Sequence, residues 1–137
     1  MTDSIPQRLA ALRKVMGEHG IAYCIVPTAD PHLSEYLPEH WRAREWLSGF
    51  TGSAGTLVIG ADFAGLWTDS RYFGQAEREL AGSGIELMKL NVPHTPEHVA
   101  WLRDRVRAGE RVACAAEMLS LLASLGGVLW LSRNITR

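Results

Sequence analysis

The sequence predicts an α/β domain, a mixed sheet of about five or six strands flanked by about five helices and folded as a single unit over residues 1–137. Short apolar runs of strand length alternate with longer runs in which apolar residues recur every three or four positions. Glycine and proline fall between these runs, where turns are needed. With 137 residues, 47% of them hydrophobic and 21% charged, the chain has the length and composition of one globular domain with a real core.

The first helix is signalled by the capping-box spacing of Ser4 and Gln7, by Pro6 in the first turn, and by Leu9, Leu12 and Met16 at helical spacing. Gly20 can stop it in a left-handed conformation. "IAYCIVP" reads as a strand buried on both faces and ended by Pro27. "SEYLPEHWRAREWLSGF" is a mostly helical connection interrupted by Pro38. "GTLVIG" and "AGLWTD", separated by "ADF", are two short strands of a predicted hairpin. A helix follows in "SRYFGQAEREL", with Ser70 as its cap and Tyr72, Phe73, Ala76 and Leu80 on one side. After the strand "IELMKL", "TPEHVAWLRDRVRAG" predicts a helix capped by Thr95, with Pro96 in the first turn and Val99, Leu102 and Val106 as its buried stripe. "RVACA", "EMLSLLASL" and "GGVLWLSRN" read as a strand, a short helix and a last strand. The chain ends at "NITR" with no closing helix, which reads as a cut made between domains.

Charge and composition exclude several classes. The formal net charge is −1 and no basic stripe is present, so nucleic acid is not an expected partner. No run approaches the ~20 apolar residues of a membrane span, and the charged N-terminus does not have the apolar core of a signal peptide. Cys24 and Cys114 sit far apart in apolar surroundings, as buried free thiols of a cytoplasmic protein would.

The stretch "SGFTGSAG", residues 48–55, spaces Gly49, Gly52 and Gly55 evenly. A Walker-type phosphate loop requires a Lys after its last glycine, and none lies between positions 15 and 88. A dinucleotide fingerprint leads into a helix, whereas this loop leads into a strand. Ser53 has Gly55 on one side but Thr51 on the other, so it is no nucleophile elbow. What remains is a backbone role: glycines that permit positive φ and close approach, with Phe50 plugging an apolar pocket beside them. No set of three or four metal ligands converges either. His94 and His98 are separated by the helix-starting Pro96, and Asp30, His32 and Glu35 of "DPHLSE" suit turn or cap roles. In "WTDSRYF", Asp69, Ser70, Arg71 and Tyr72 emerge from a strand end, where α/β folds place ligand-contacting groups. Arg71 can pair with Asp69 or present its fork to a carbonyl or carboxylate, and Tyr36, Trp41, Trp46 and Phe50 form an apolar wall beside it or simply core.

"DPHLSEYLPEHWRAREWLSGFTGSAG" followed by "LWTDSRYFGQAEREL" resembles the N-terminal domain of cytosolic-type Xaa-Pro aminopeptidases, or aminopeptidase P, of the creatinase, prolidase and methionine aminopeptidase superfamily. The resemblance runs from about residue 5 to about residue 112 and rests on the signatures D-x-H-x-S-E-Y, S-G-F-x-G-S-A-G and W-T-D-x-R-Y-F in that order. Ser70 stands where many members have Gly, and "VACAAEMLSLLASL" lacks the Asp-Pro usual there. The resemblance implies a peptidase that removes the N-terminal residue preceding a proline. It implies two divalent ions, typically manganese, held in a C-terminal "pita-bread" catalytic domain absent from this chain, and no cofactor in the chain itself. Arg71 inherits the substrate-contact role, with Asp69, Tyr72, His32 and Phe50 supporting the site and no catalytic residue here. The implied partners are that catalytic domain, peptides with proline in second position, and a second copy in a homodimer. Two other readings stay open: a stand-alone peptide- or protein-binding module, and the N-terminal domain of a prolidase or creatinase.

Overall fold

The computed structural model describes residues 4–26, 43–92 and 95–114. Helix α1 (Ile5–Glu18) leads to β1 (Ile21–Val26), α2 (Ala43–Ser48), and the strands β2 (Thr56–Gly60) and β3 (Ala64–Thr68). A 3-10 turn over Ser70–Tyr72 runs into α3 (Phe73–Glu79), followed by β4 (Glu86–Lys89), α4 (Glu97–Arg105) and β5 (Arg111–Cys114). The sequence readings on Pro27, "DPHLSE", Tyr36, Pro38, Trp41, His94 and everything after Cys114 fall outside the described residues, as does the Cys114 side chain.

The strands form one mixed sheet in the order β4-β3-β2-β1-β5. β2 pairs antiparallel with both β1 and β3, while β3–β4 and β1–β5 are parallel. The predicted hairpin is present: Thr56 lies opposite Trp67 and Ile59 opposite Ala64, and the Gly60 N–H closes the turn on the Phe63 carbonyl at 2.7 Å. A parallel neighbour cannot be reached by a tight turn, and α3 supplies the crossover from β3 to β4.

Side chains alternate across β2, which sends Leu57 and Ile59 to one face of the sheet and Val58 to the other. The first face carries an aliphatic core of Leu9, Leu12 and Met16 from α1 with Cys24, Val26, Leu66, Ala76 and Leu80. Each such large side chain removed from water contributes about 1.5–3 kcal/mol. Ser4 caps α1 as its spacing predicts, with the reciprocal bonds to Gln7 at 2.8 and 3.3 Å, and Gly20 ends it at φ +67°. Arg13 ties this helix to the hairpin turn, donating to the carbonyls of Gly60 (2.8 Å) and Phe63 (3.1 Å). The second face is aromatic. Trp101 stacks on Phe63 (4.3 Å between centroids) and meets Trp67 and Tyr23 edge-on at 5.5 and 5.9 Å.

Three local expectations are corrected. Val99 is 40% exposed, because α4 turns Trp101 and Leu102 toward the sheet; Trp101 offers the larger area to bury. Thr95 does not cap α4; its hydroxyl donates to the Val92 carbonyl at 2.6 Å, and Pro96 holds the cap position. β1 is sealed on one face only, since Tyr23 and Ile25 are partly exposed on the aromatic side.

Candidate functional site

β3 delivers its last residues to the edge of the aliphatic face, beside the glycine loop. Asp69, 3% exposed, caps the 3-10 turn by accepting the Arg71 N–H at 3.1 Å, so the cap is Asp69 and not Ser70. The same carboxylate takes the Arg71 guanidinium in a two-point grip, Nε to Oδ1 at 2.9 Å and Nη2 to Oδ2 at 3.0 Å. Planar two-point pairing of this kind fixes direction as well as distance. The Arg71 side chain is nonetheless 56% exposed, and its Cζ lies 5.0 Å from the centre of the Tyr72 ring.

The glycine loop is anchored from four sides. Thr68 donates from its hydroxyl to the Ala54 carbonyl at 2.7 Å. The Ser53 and Tyr72 hydroxyls share a hydrogen bond of 2.6 Å. Glu79 accepts both the Thr51 N–H (2.8 Å) and its hydroxyl (2.9 Å), and Gln75 donates to the same hydroxyl at 2.9 Å. From beneath, Arg44 donates through Nη2 to the Gly52 carbonyl. Ser48 turns the chain out of α2, donating to the Arg44 carbonyl and accepting the Phe50 N–H.

Phe50 fills the interior of this arrangement and is fully buried. Its ring meets Tyr72 edge-on at 5.8 Å and 88°, and the Arg44 Cζ sits 5.1 Å from its centre. The glycines serve two physical needs. Gly49 has φ +78°. A Cβ at Gly52 would stand 2.8 Å from Phe50 Cε2 and 2.9 Å from Tyr72 Cδ1, closer than real atoms pack. The loop is therefore folded around a phenyl ring, as its sequence suggests.

Charges at the site are tuned by these contacts. Burial of Arg44, 6% exposed, lowers its pKa to about 10 even though Glu45, Tyr72 and Glu79 oppose the shift; it remains a cation at neutral pH. Partial burial pushes Glu79 up, but the hydrogen bonds from Thr51 and Gln75 outweigh it and hold the carboxyl below its ordinary 4.5. Among the described residues no group of three or more His, Cys, Asp or Glu could hold a metal ion. The site offers cations, hydroxyls and aromatic faces, which suit recognition of a carbonyl or carboxylate.

Of the residues singled out from sequence, the structure brings together Arg71, Asp69, Tyr72 and Phe50; His32 lies outside the described set. Sequence reasoning missed Arg44, Gln75 and Glu79. A signal for Arg44 exists in hindsight: it shares a helical face with Leu47 and Ser48, both buried.

A family model for the creatinase/prolidase N-terminal domain matches residues 8–126. Aminopeptidase P2 of Arabidopsis thaliana is 43% identical over 111 residues, 79% of this chain but 15% of that protein, so the chain spans a small part of its relative's length. Among solved structures, the X-prolyl aminopeptidase of Caenorhabditis elegans, described as a cytosolic enzyme with a di-nuclear active site, superposes with a TM-score of 0.74 at 27% identity over 91% of this chain and 23% of that one. A Xaa-Pro aminopeptidase structure from Streptococcus thermophilus shares the fold at 16% identity and a TM-score of 0.58, over 85% of this chain and 97% of that one.

Proposed function

Because the chain belongs to the creatinase/prolidase N-terminal domain family, we propose that it is the non-catalytic N-terminal domain of a metal-dependent, cytoplasmic Xaa-Pro aminopeptidase. The likeness to an aminopeptidase P at 43% identity supports this branch over a prolidase or a creatinase. In this reading the two divalent ions, manganese, belong to a C-terminal catalytic domain that would be this chain's partner; the X-prolyl aminopeptidase of Caenorhabditis elegans, 23% of which this chain covers, is described as having a di-nuclear active site. The domain narrows access to that centre, and a homodimer of complete subunits is its expected assembly.

Arg71 carries the reading: a cation fixed at the end of β3 by a buried carboxylate, yet 56% exposed. A Xaa-Pro bond has no N–H to donate, so recognition of such a peptide leans on its carbonyls and its carboxylate. A guanidinium has the donor geometry for either. Arg71 thereby holds the peptide and takes no part in proton transfer. In the complete aminopeptidase, Arg71→Ala raises KM for a Xaa-Pro peptide about tenfold or more with kcat little changed, as for lost uniform binding. Unchanged kinetics in a folded variant would remove Arg71 from the site.

A further inference from the structure

We propose that the glycine loop is a positioning device for Arg71, acting through a pile of four planar groups that runs from the core to the surface: Arg44, Phe50, Tyr72 and Arg71. The proposal rests on the reading of Arg71 as the peptide-holding group. Successive members lie 5.1, 5.8 and 5.0 Å apart. Arginine side chains at a surface ordinarily sample many rotamers. Here the edge of Arg71 is held by Asp69, and its Cζ lies over the Tyr72 ring. That ring adds a second contact to the two-point grip of Asp69.

Tyr72 can steady the guanidinium only if it is itself held, and two contacts hold it. Its hydroxyl is tied to Ser53 at 2.6 Å, and its ring is met by the edge of Phe50. Phe50 in turn is boxed in by the close approach of Gly52 and Gly55 and by the buried Arg44. Ser53 and Tyr72 are thus positioning residues. The tyrosine hydroxyl has a function the ring does not: it converts an aromatic contact into a directional tether. Holding one rotamer-rich side chain in its bound orientation is worth about three- to tenfold in affinity.

The test reads Arg71 directly, by 15N relaxation of its Nε–Hε group in the 137-residue chain, with the exposed Arg103 as an internal reference. The native chain gives an Arg71 order parameter above about 0.7. Ser53→Ala and Tyr72→Phe, which each delete the tether and keep the ring, lower it below about 0.6, and Ser53→Thr restores it. Unchanged Arg71 order in Ser53→Ala, with the backbone amide spectrum intact, overturns the proposal. Should Ser53→Ala not fold, unchanged Arg71 order in Tyr72→Phe overturns it equally. In the complete aminopeptidase the same Ser53→Ala raises KM about three- to tenfold at constant kcat. Loss of Arg71 order with KM unmoved in both Ser53→Ala and Arg71→Ala upholds the positioning and overturns the peptide-holding reading instead.

Discussion

Arg44 and Arg71 flank the same pair of aromatic rings, one from below and one from above, and they meet opposite demands. Arg44 is buried and donates to the loop backbone at Gly52; its charge is expensive to hold there, as its lowered pKa records. Arg71 keeps its carboxylate partner buried and its own side chain half in water. The inner arginine is built into the fold, whereas the outer one is displayed by it. Two residues of one type, Arg44 over Phe50 and Arg71 over Tyr72, therefore differ in what their loss does: the first should cost stability, the second recognition.

Removing what both arginines share should have the largest effect. Phe50→Ala leaves a cavity under Tyr72 and unseats the loop, at a cost of about 3–5 kcal/mol in urea unfolding. Arg44→Met keeps the volume and removes the donor to the Gly52 carbonyl, which lowers stability by about 1–3 kcal/mol. Arg71→Ala loses an ion pair whose guanidinium is half in water, though its carboxylate is buried, and costs about 1 kcal/mol in the same measurement, less than Arg44→Met. Equal losses for Arg44→Met and Arg71→Ala would erase the distinction between the two arginines.

The smallest effect concerns the outer clamp and is read against pH. The Glu79 carboxyl titrates below its ordinary 4.5 in the folded chain, so its contribution is complete above that value. It is lost as pH falls below 4.5 and through the folded pKa. Glu79→Gln should flatten the acid limb of the stability profile below that pH and change little at neutral pH. An acid limb that keeps its shape in Glu79→Gln would show that Thr51 is held by something else.

Much of this frame was legible because its signals are local. The box at Ser4 and Gln7 spans one helical turn, and the hairpin announces itself in two apolar runs around a short turn. The contacts among "SGFTGSAG", Asp69, Arg71 and Tyr72 were only partly legible. The Asp69–Arg71 pair lies two residues apart and could be read, but the Thr51–Glu79 clamp joins positions 28 apart. Arg44 resisted reading for a physical reason: a buried guanidinium is tolerable only where a carbonyl and a ring await it, and neither is visible before the chain folds. The buried stripe of α4 was misjudged because apolar spacing weighed Val99 like any aliphatic residue, while the aromatic surface of the sheet selected Trp101.

The proposed function gives this domain a part in holding the peptide and none in cleaving it. The most direct measurement supplies the purified 137-residue chain with manganese and a Xaa-Pro peptide and follows release of the first residue. The account predicts no release above the uncatalysed background, with turnover returning only when a catalytic domain is joined to it. Hydrolysis by the isolated chain at a rate typical of an aminopeptidase would contradict it.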